Sequence, residues 1–232
     1  MQDHAIVSRD EWLRARTELL ELEKAFTKER DRLSQARRDL PWERVDTAYT
    51  FEGPAGPVSL AELFGGCSQL VVYHFMFDPS WDEGCPHCSF WADNFDGAPV
   101  HLRARDVSFV AVSRAPMETL AAYQRRMGWS FPWVSSFGSD FNYDFGVSFG
   151  PDDIGRRTYN FGTMDPGMED REGLSVFVRD DDGEIFRTYA TYARGIDMMN
   201  GTYQILDMVP KGRDEPRDAP QFWVHRHDRY DQ

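Results

Sequence analysis

The sequence is short of cysteine, short of positive charge and without a long apolar run, and each shortage excludes something. Three cysteines in 232 residues are too few, and odd in number, for the disulfide framework of a small secreted domain. Lysine and arginine total 26 against 39 aspartates and glutamates, a formal net charge of −13. Such a chain repels phosphate backbones, and no basic patch interleaved with aromatics offsets it, which sets nucleic-acid binding aside. No apolar stretch approaches the roughly 18 to 20 residues that cross a bilayer. The opening MQDHAIVSRDEW lacks the basic start and apolar core of a secretory signal. The expectation is a soluble, cytoplasmic protein with neither a nucleic-acid nor a membrane partner.

Apolar residues make up 41% and aromatics 14%, enough to bury a core. Residues 9–40 predict one long helix, with Ser8 as N-cap, Glu11 completing a capping box and Pro41 ending it. Trp12, Leu19, Phe26, Leu33 and Leu40 recur every seven residues, an a/d-like seam. Either the helix packs on its own domain or the seam is a homodimer contact. Nine basic and nine acidic residues balance through Asp39, so the remainder carries the whole net charge. The chain thus reads as a helical extension (1–41), a main domain (42–209) and a polar tail with Pro210, Pro216 and Pro220 (210–232).

In the main domain element types alternate. TAYTFEGPAGPVSLAELF (47–64) reads as a strand, a Gly-Pro turn and a short helix capped by Ser59. QLVVYHFM (69–76) and VSFVAVS (107–113) are nearly continuous in apolar residues, as parallel central strands are. PHCSFWADNF and APMETLAAYQRRMG (115–128) follow them as helices, and LSVFVRDDDGEIFRTY (174–189) is a hairpin around Asp182-Gly183. A broken helical pattern covers 194–209, and the aromatic-rich run 131–149 predicts a lid, a pocket wall or a dimer surface. Strand, helix, strand, helix, hairpin, helix is the order of a thioredoxin-type α/β fold, a central mixed sheet flanked by helices.

Two cysteines sit in FDPSWDEGCPHCSFWADNFDG (77–97), where a strand has ended and a helix begins. Pro86 suits the first helical position, which makes Cys85 the N-cap, facing unpaired backbone donors and the positive end of the helix dipole. Both favour a thiolate. Cys88 lies one turn deeper on the same face, within disulfide reach. Cys85 is therefore the attacking and Cys88 the resolving thiol, and His87 is placed to lower the Cys85 pKa. Trp81 and Trp91 flank the pair as packing or as a substrate lip. Asp93 reads as a solvated helix residue or as a proton shuttle to Cys88. Arg194 and Arg213 suggest internal ion pairs.

Two rivals stay open. A metal site would need Cys67, His74, His87 or His101 to converge on the pair. A peroxiredoxin would carry Pro seven and Thr or Ser three residues before the attacking cysteine; this chain has Asp78 and Asp82, with Pro79 one position off. Asp82, if turned inward, opposes a thiolate at Cys85.

DEGCPHCSFWADNFDG, FRTYATYARGIDMMNGTYQILDMVPKGRDE and WVHRHDRY together resemble the thioredoxin-like family called domain of unknown function 899, and the resemblance runs over nearly the whole chain. It implies a thioredoxin-like fold and a dithiol–disulfide oxidoreductase activity at Cys85 and Cys88. No prosthetic cofactor and no metal is expected; the partners are a disulfide-containing substrate and an external thiol electron donor. The alternatives are a thiol peroxidase and a non-catalytic binding protein whose cysteines are structural. Thioredoxins place a cis-proline before the hairpin strand that faces the cysteines. In DREGLSVFV (170–178) Gly173 or Leu174 takes that place, as a candidate substrate contact.

Overall fold

The computed structural model describes residues 4–230, and the chain divides into two units, Met1–Pro41 and Trp42–Gln232. The first is the helix α1 (Arg9–Arg38). Its capping box forms as the sequence predicts: Ser8 Oγ accepts the Glu11 N–H at 3.3 Å, and Glu11 Oε2 accepts the Ser8 N–H at 2.9 Å. The helix stops short of residue 40 because the residue before a proline is pushed out of the helical region, and Asp39 caps it. No residue of α1 is buried, and Trp12, Leu19, Phe26, Leu33 and Leu40 form an exposed row. Among the described residues no helix is long and apolar enough to cross a membrane.

The second unit runs β1 (Glu43–Arg44), β2 (Thr50–Gly53), β3 (Gly56–Ser59), α2 (Leu60–Leu63), β4 (Gln69–His74), α3 (Pro86–Phe95), α4 (Pro99–Arg103) and β5 (Val107–Ser113). It continues with α5 (Met117–Met127), β6 (Trp133–Ser135), α6 (Phe141–Asp144), the single turn α7 (Tyr159–Gly162), β7 (Gly173–Arg179) and β8 (Ile185–Tyr192). A 3₁₀ segment (Ala193–Met199) and α8 (Gly201–Leu206) follow. Among the described residues eight strands form one sheet in the order β1-β8-β7-β4-β5-β6-β2-β3. β4 is central, parallel to β5 on one side and antiparallel to β7 on the other. β5 in turn runs parallel to β6, and β7 and β8 form the hairpin.

Both faces of the sheet are covered, which is why β4 and β5 read as continuous apolar runs. Tyr73, Phe109 and Ala111 face the core under α3 and α5, while Leu70, Val72, Val110 and Val112 face the core under α2 and α6. This is the period-2 alternation of strands. A strand feeding a helix, a parallel neighbour feeding a second, then an antiparallel hairpin and a last helix make the thioredoxin-like arrangement the sequence predicts.

The aromatic run 131–149 corrects an expectation. It is neither lid nor pocket wall: Phe131, Trp133, Phe141, Phe145 and Phe149 are buried in the cores, with β6 an interior strand of the sheet. The polar end of the chain also packs more closely than its composition suggests. Val224 is buried in the core beneath α3, and the Trp223 ring meets that of Phe90 edge-on at 5.4 Å.

Candidate active site

The chain leaves β4 through Phe75, Met76 and Phe77, turns, and re-enters as α3. The start of α3 is stitched to the strand exit in both directions. Cys85 N–H donates to the Met76 carbonyl at 3.1 Å, and Met76 N–H donates to Cys88 Sγ at 3.4 Å. From beneath, Tyr73 Oη donates to the Cys88 carbonyl at 3.2 Å. Cys85 occupies the N-cap and Pro86 the first turn, where the missing proline N–H costs nothing. Gly84, just ahead, is required by close approach: a Cβ there would lie 2.7 Å from the Phe75 ring and 2.9 Å from that of Tyr123.

Both thiols are free; Cys85 is 9% exposed and Cys88 2%. Their chemistry diverges. The Cys85 thiol is held well below its ordinary range because the Cys88 side chain donates to its sulfur, joined by the His87 ring and the Cys88 backbone N–H, which together outweigh burial. Cys88 is pushed well above that range by burial, by the bond it gives to Cys85, and by the negative charges of Cys85 and Glu172. The bond to Cys85 raises His87, so thiolate and imidazolium favour each other. The His87 ring also bonds the backbone of Gln221, far along the chain in the C-terminal segment.

That segment grips the cysteine loop a second time. Arg226 donates to the Gly84 carbonyl from Nη2 at 2.7 Å and from Nε at 3.1 Å, and pairs with Glu83 at 2.9 Å. Its Nε also reaches Tyr123 Oη at 3.0 Å, which bonds Ser89 Oγ at 2.9 Å, and Ser89 donates to the Cys85 carbonyl at 2.9 Å. The backbone on either side of Cys85 is thus held by one connected network. Asp82 is exposed, and Glu83 is the acidic neighbour that turns to the arginines.

The pair opens into a cleft of about 1490 Å³. Trp81, Cys85, Pro86, His87, Cys88 and Trp91 all line it. Trp91 is itself buried and donates Nε1–H to the Ile196 carbonyl at 3.0 Å, tying α3 to the 3₁₀ segment. Gly173 and Leu174 do not line it. Gly173 enters the ladder between His74 and Tyr192, and its lack of a side chain admits the Tyr192 ring, which a Cβ would meet at 2.6 Å. Leu174 is in the core beside Tyr73. The two residues before them, Arg171 and Glu172, line the cleft and pair at 3.5 Å, and the Glu172 charge bears on Cys88 and His87. The signal that could have found Glu172 is the loop immediately ahead of the hairpin strand, once that strand is placed next to β4.

Other candidates resolve into support. Asp93 accepts from Trp129 Nε1 at 2.7 Å and bonds His227 Nδ1 at 2.8 Å, so its carboxylate joins α3 to its neighbours. Arg213 pairs with Asp207 at 2.8 Å and Asp197 at 3.2 Å and lies over the Tyr203 ring at 3.9 Å; Arg194 pairs with Asp197 at 3.2 Å. His74 is buried against Ser175 Oγ at 2.8 Å, and burial lowers it to about 3, so it is neutral. Cys67 is buried in the turn between α2 and β4 and does not line the cleft. Among the described residues no three His, Cys, Asp or Glu side chains converge to hold a metal ion.

Comparison with solved structures finds similar chains of low identity. The peroxidoxin BcpB of Mycobacterium tuberculosis is 17% identical with a TM-score of 0.48, over 72% of this chain and 97% of that one. A bacterioferritin comigratory protein of Xanthomonas campestris is 15% identical with a TM-score of 0.46, over 72% and 94%. A protein of Chlorobium tepidum described as the thiol:disulfide interchange protein DsbE is 14% identical with a TM-score of 0.44, over 72% and 95%. No curated protein matches the chain in sequence. A family model does match, over residues 1–230, and with it the three motifs quoted above have their explanation: the chain belongs to the DUF899 family, bacterial proteins of unknown function.

Proposed function

We propose that the protein is a thiol–disulfide oxidoreductase in which Cys85 attacks and Cys88 resolves. The observation that carries the reading is the asymmetry within the pair. Cys85, the more exposed of the two, sits at a helix N-terminus with Cys88 and His87 beside it holding its thiol low, while the deeper Cys88 is pushed up by burial. That arrangement supplies a nucleophile at neutral pH and a protonated partner held in reserve. The Cys85 thiolate displaces one half of a substrate disulfide and forms a mixed disulfide; Cys88 then attacks Cys85, releases the second half and closes the internal bond. The protein loses two electrons and the substrate gains them, so an external dithiol must restore the reduced pair.

The peroxidase alternative draws no support from the site, since no Ser or Thr hydroxyl lines the cleft among the described residues. The exposed row along α1 supports a homodimer through that helix; a monomer in sedimentation at high protein concentration would remove the idea. The activity itself is tested by the pH dependence of Cys85 alkylation together with turnover of a chromogenic disulfide. The expected alkylation midpoint lies well below the ordinary thiol value of about 8.5. A midpoint near that value, with no turnover, would sink the assignment.

A further inference from the structure

We propose that the substrate is a low-molecular-weight disulfide, uncharged or cationic, that enters the cleft whole, and not an extended protein chain; this rests on the dithiol reading above. The first ground is the backbone opposite Cys85. A peptide that docks by strand addition needs free N–H and C=O groups along an edge. In the segment just ahead of β7 several of these groups are already engaged. Arg171 N–H donates to the Val147 carbonyl at 2.8 Å, the Glu172 carbonyl accepts from Tyr159 Oη at 2.6 Å, and Gly173 is already inside the ladder between β4 and β8.

The second ground is the depth of Cys85. The C-terminal segment from Arg213 to Gln221 walls the cleft, and Cys85 lies inside that wall at 9% exposure. At about 1490 Å³ the cleft has room for both halves of a small disulfide. Met76, Met164, Met168 and Trp81 give it a polarisable apolar lining suited to sulfur and methylene groups.

The third ground is charge. Four cleft arginines already have carboxylates: Arg171 with Glu172 at 3.5 Å, Arg194 with Asp197 at 3.2 Å, Arg213 with Asp207 at 2.8 Å and Arg226 with Glu83 at 2.9 Å. Arg217, the fifth, is exposed on the tail. Glu172 stands close enough for its charge to act on both Cys88 and His87. An anionic disulfide would therefore meet a carboxylate beside the reacting sulfurs, while four of the five cleft arginines are already paired. In the reaction, Cys85 S⁻ and R–S–S–R give Cys85–S–S–R and RS⁻. Cys88, giving its proton to solvent, displaces the second RS⁻, and the two thiolates take up protons as free thiols.

The test mixes the reduced full-length protein, freed of reductant, with cystamine, bis(2-hydroxyethyl) disulfide, glutathione disulfide or insulin. Formation of the Cys85–Cys88 bond is followed by mass, and each rate is divided by that of dithiothreitol with the same disulfide. Cystamine and the hydroxyethyl compound are expected to react at least about tenfold faster than glutathione disulfide and insulin on this scale, a 1.4 kcal/mol discrimination. Glu172→Gln should shrink the cystamine-to-glutathione ratio several-fold. Insulin as fast as the small neutral disulfide, glutathione disulfide as fast as cystamine, or an unchanged ratio in Glu172→Gln each overturns the substrate class while leaving the dithiol reading intact. Oxidation by none of the four overturns both.

Discussion

The two walls of the cleft are built by opposite means. The near wall comes from one continuous stretch, the exit of β4 through the start of α3, and short-range hydrogen bonds from backbone N–H groups fix it: Cys85 N–H to the Met76 carbonyl, Met76 N–H to Cys88 Sγ. The far wall gathers Met164 and Met168, the Arg171–Glu172 pair, the 3₁₀ segment and the C-terminal tail. Side-chain ion pairs and ring contacts hold it, such as Arg213 between Asp207 and Asp197 over Tyr203. The near wall generates the nucleophile from interactions a few ångströms long. The far wall decides what may approach it and under what charge. Reactivity here is local in the chain, and access is not.

The comparison breaks most sharply at the sulfurs. Cys85→Ser should abolish disulfide turnover, because no group on the far wall can form the mixed disulfide. Cys88→Ser should keep the first step and stop at the second, so a protein–substrate adduct accumulates and is read directly as added mass. Attack at position 88 in the Cys85→Ser protein at a comparable rate would reverse the assigned roles.

Next in size come the supports of the near wall. Gly84→Ala places a methyl 2.7 Å from the Phe75 ring and 2.9 Å from that of Tyr123, both in the buried core. Overpacking of this kind costs about 1–3 kcal/mol, expected as a fall in the denaturant midpoint accompanied by slower Cys85 alkylation. A stability within a few tenths of a kcal/mol of the parent would mean the loop has slack the geometry denies. Arg226→Ala tests the strap between the walls. It strips the Gly84 carbonyl of two donors and Tyr123 Oη of one, a loss of about 2 kcal/mol for a charged donor to partly buried acceptors. Arg226→Lys should recover only part, since an ammonium cannot reproduce the fork.

The same division explains what could be read without coordinates. β5 covers the residues predicted, β4 ends two residues early, and the cysteine pair sits at the helix start as expected, because apolar runs, Pro86 and Ser8 act over a few residues. β6 is three residues long, too short for any period to register, and its parallel partner β5 lies in another segment. The aromatics around it therefore resemble a lid although they are core. Glu172 carries no local mark; only the placement of β7 beside β4 turns the residue before that strand towards the thiols. The tail misleads by composition, since polar neighbours conceal Trp223, Val224 and the reach of Arg226.

The smallest expected effects join the walls and are the most specific. His87→Gln removes a hydrogen bond and a positive charge from beside the Cys85 sulfur, so the thiolate is less favoured and alkylation below pH 7 should slow several-fold while the rate at high pH is kept. Glu172→Gln acts first on the other sulfur. Without that negative charge the Cys88 thiol ionises more readily, and resolution of the mixed disulfide should set in at lower pH. Glu172 also holds His87 towards its charged form, so its removal weakens the imidazolium and carries a secondary slowing of Cys85. That secondary effect should vanish in the double variant, where no imidazole remains to transmit it. The double-mutant cycle on Cys85 alkylation is therefore expected to be non-additive. Strict additivity would mean that the far wall reaches Cys85 without passing through His87.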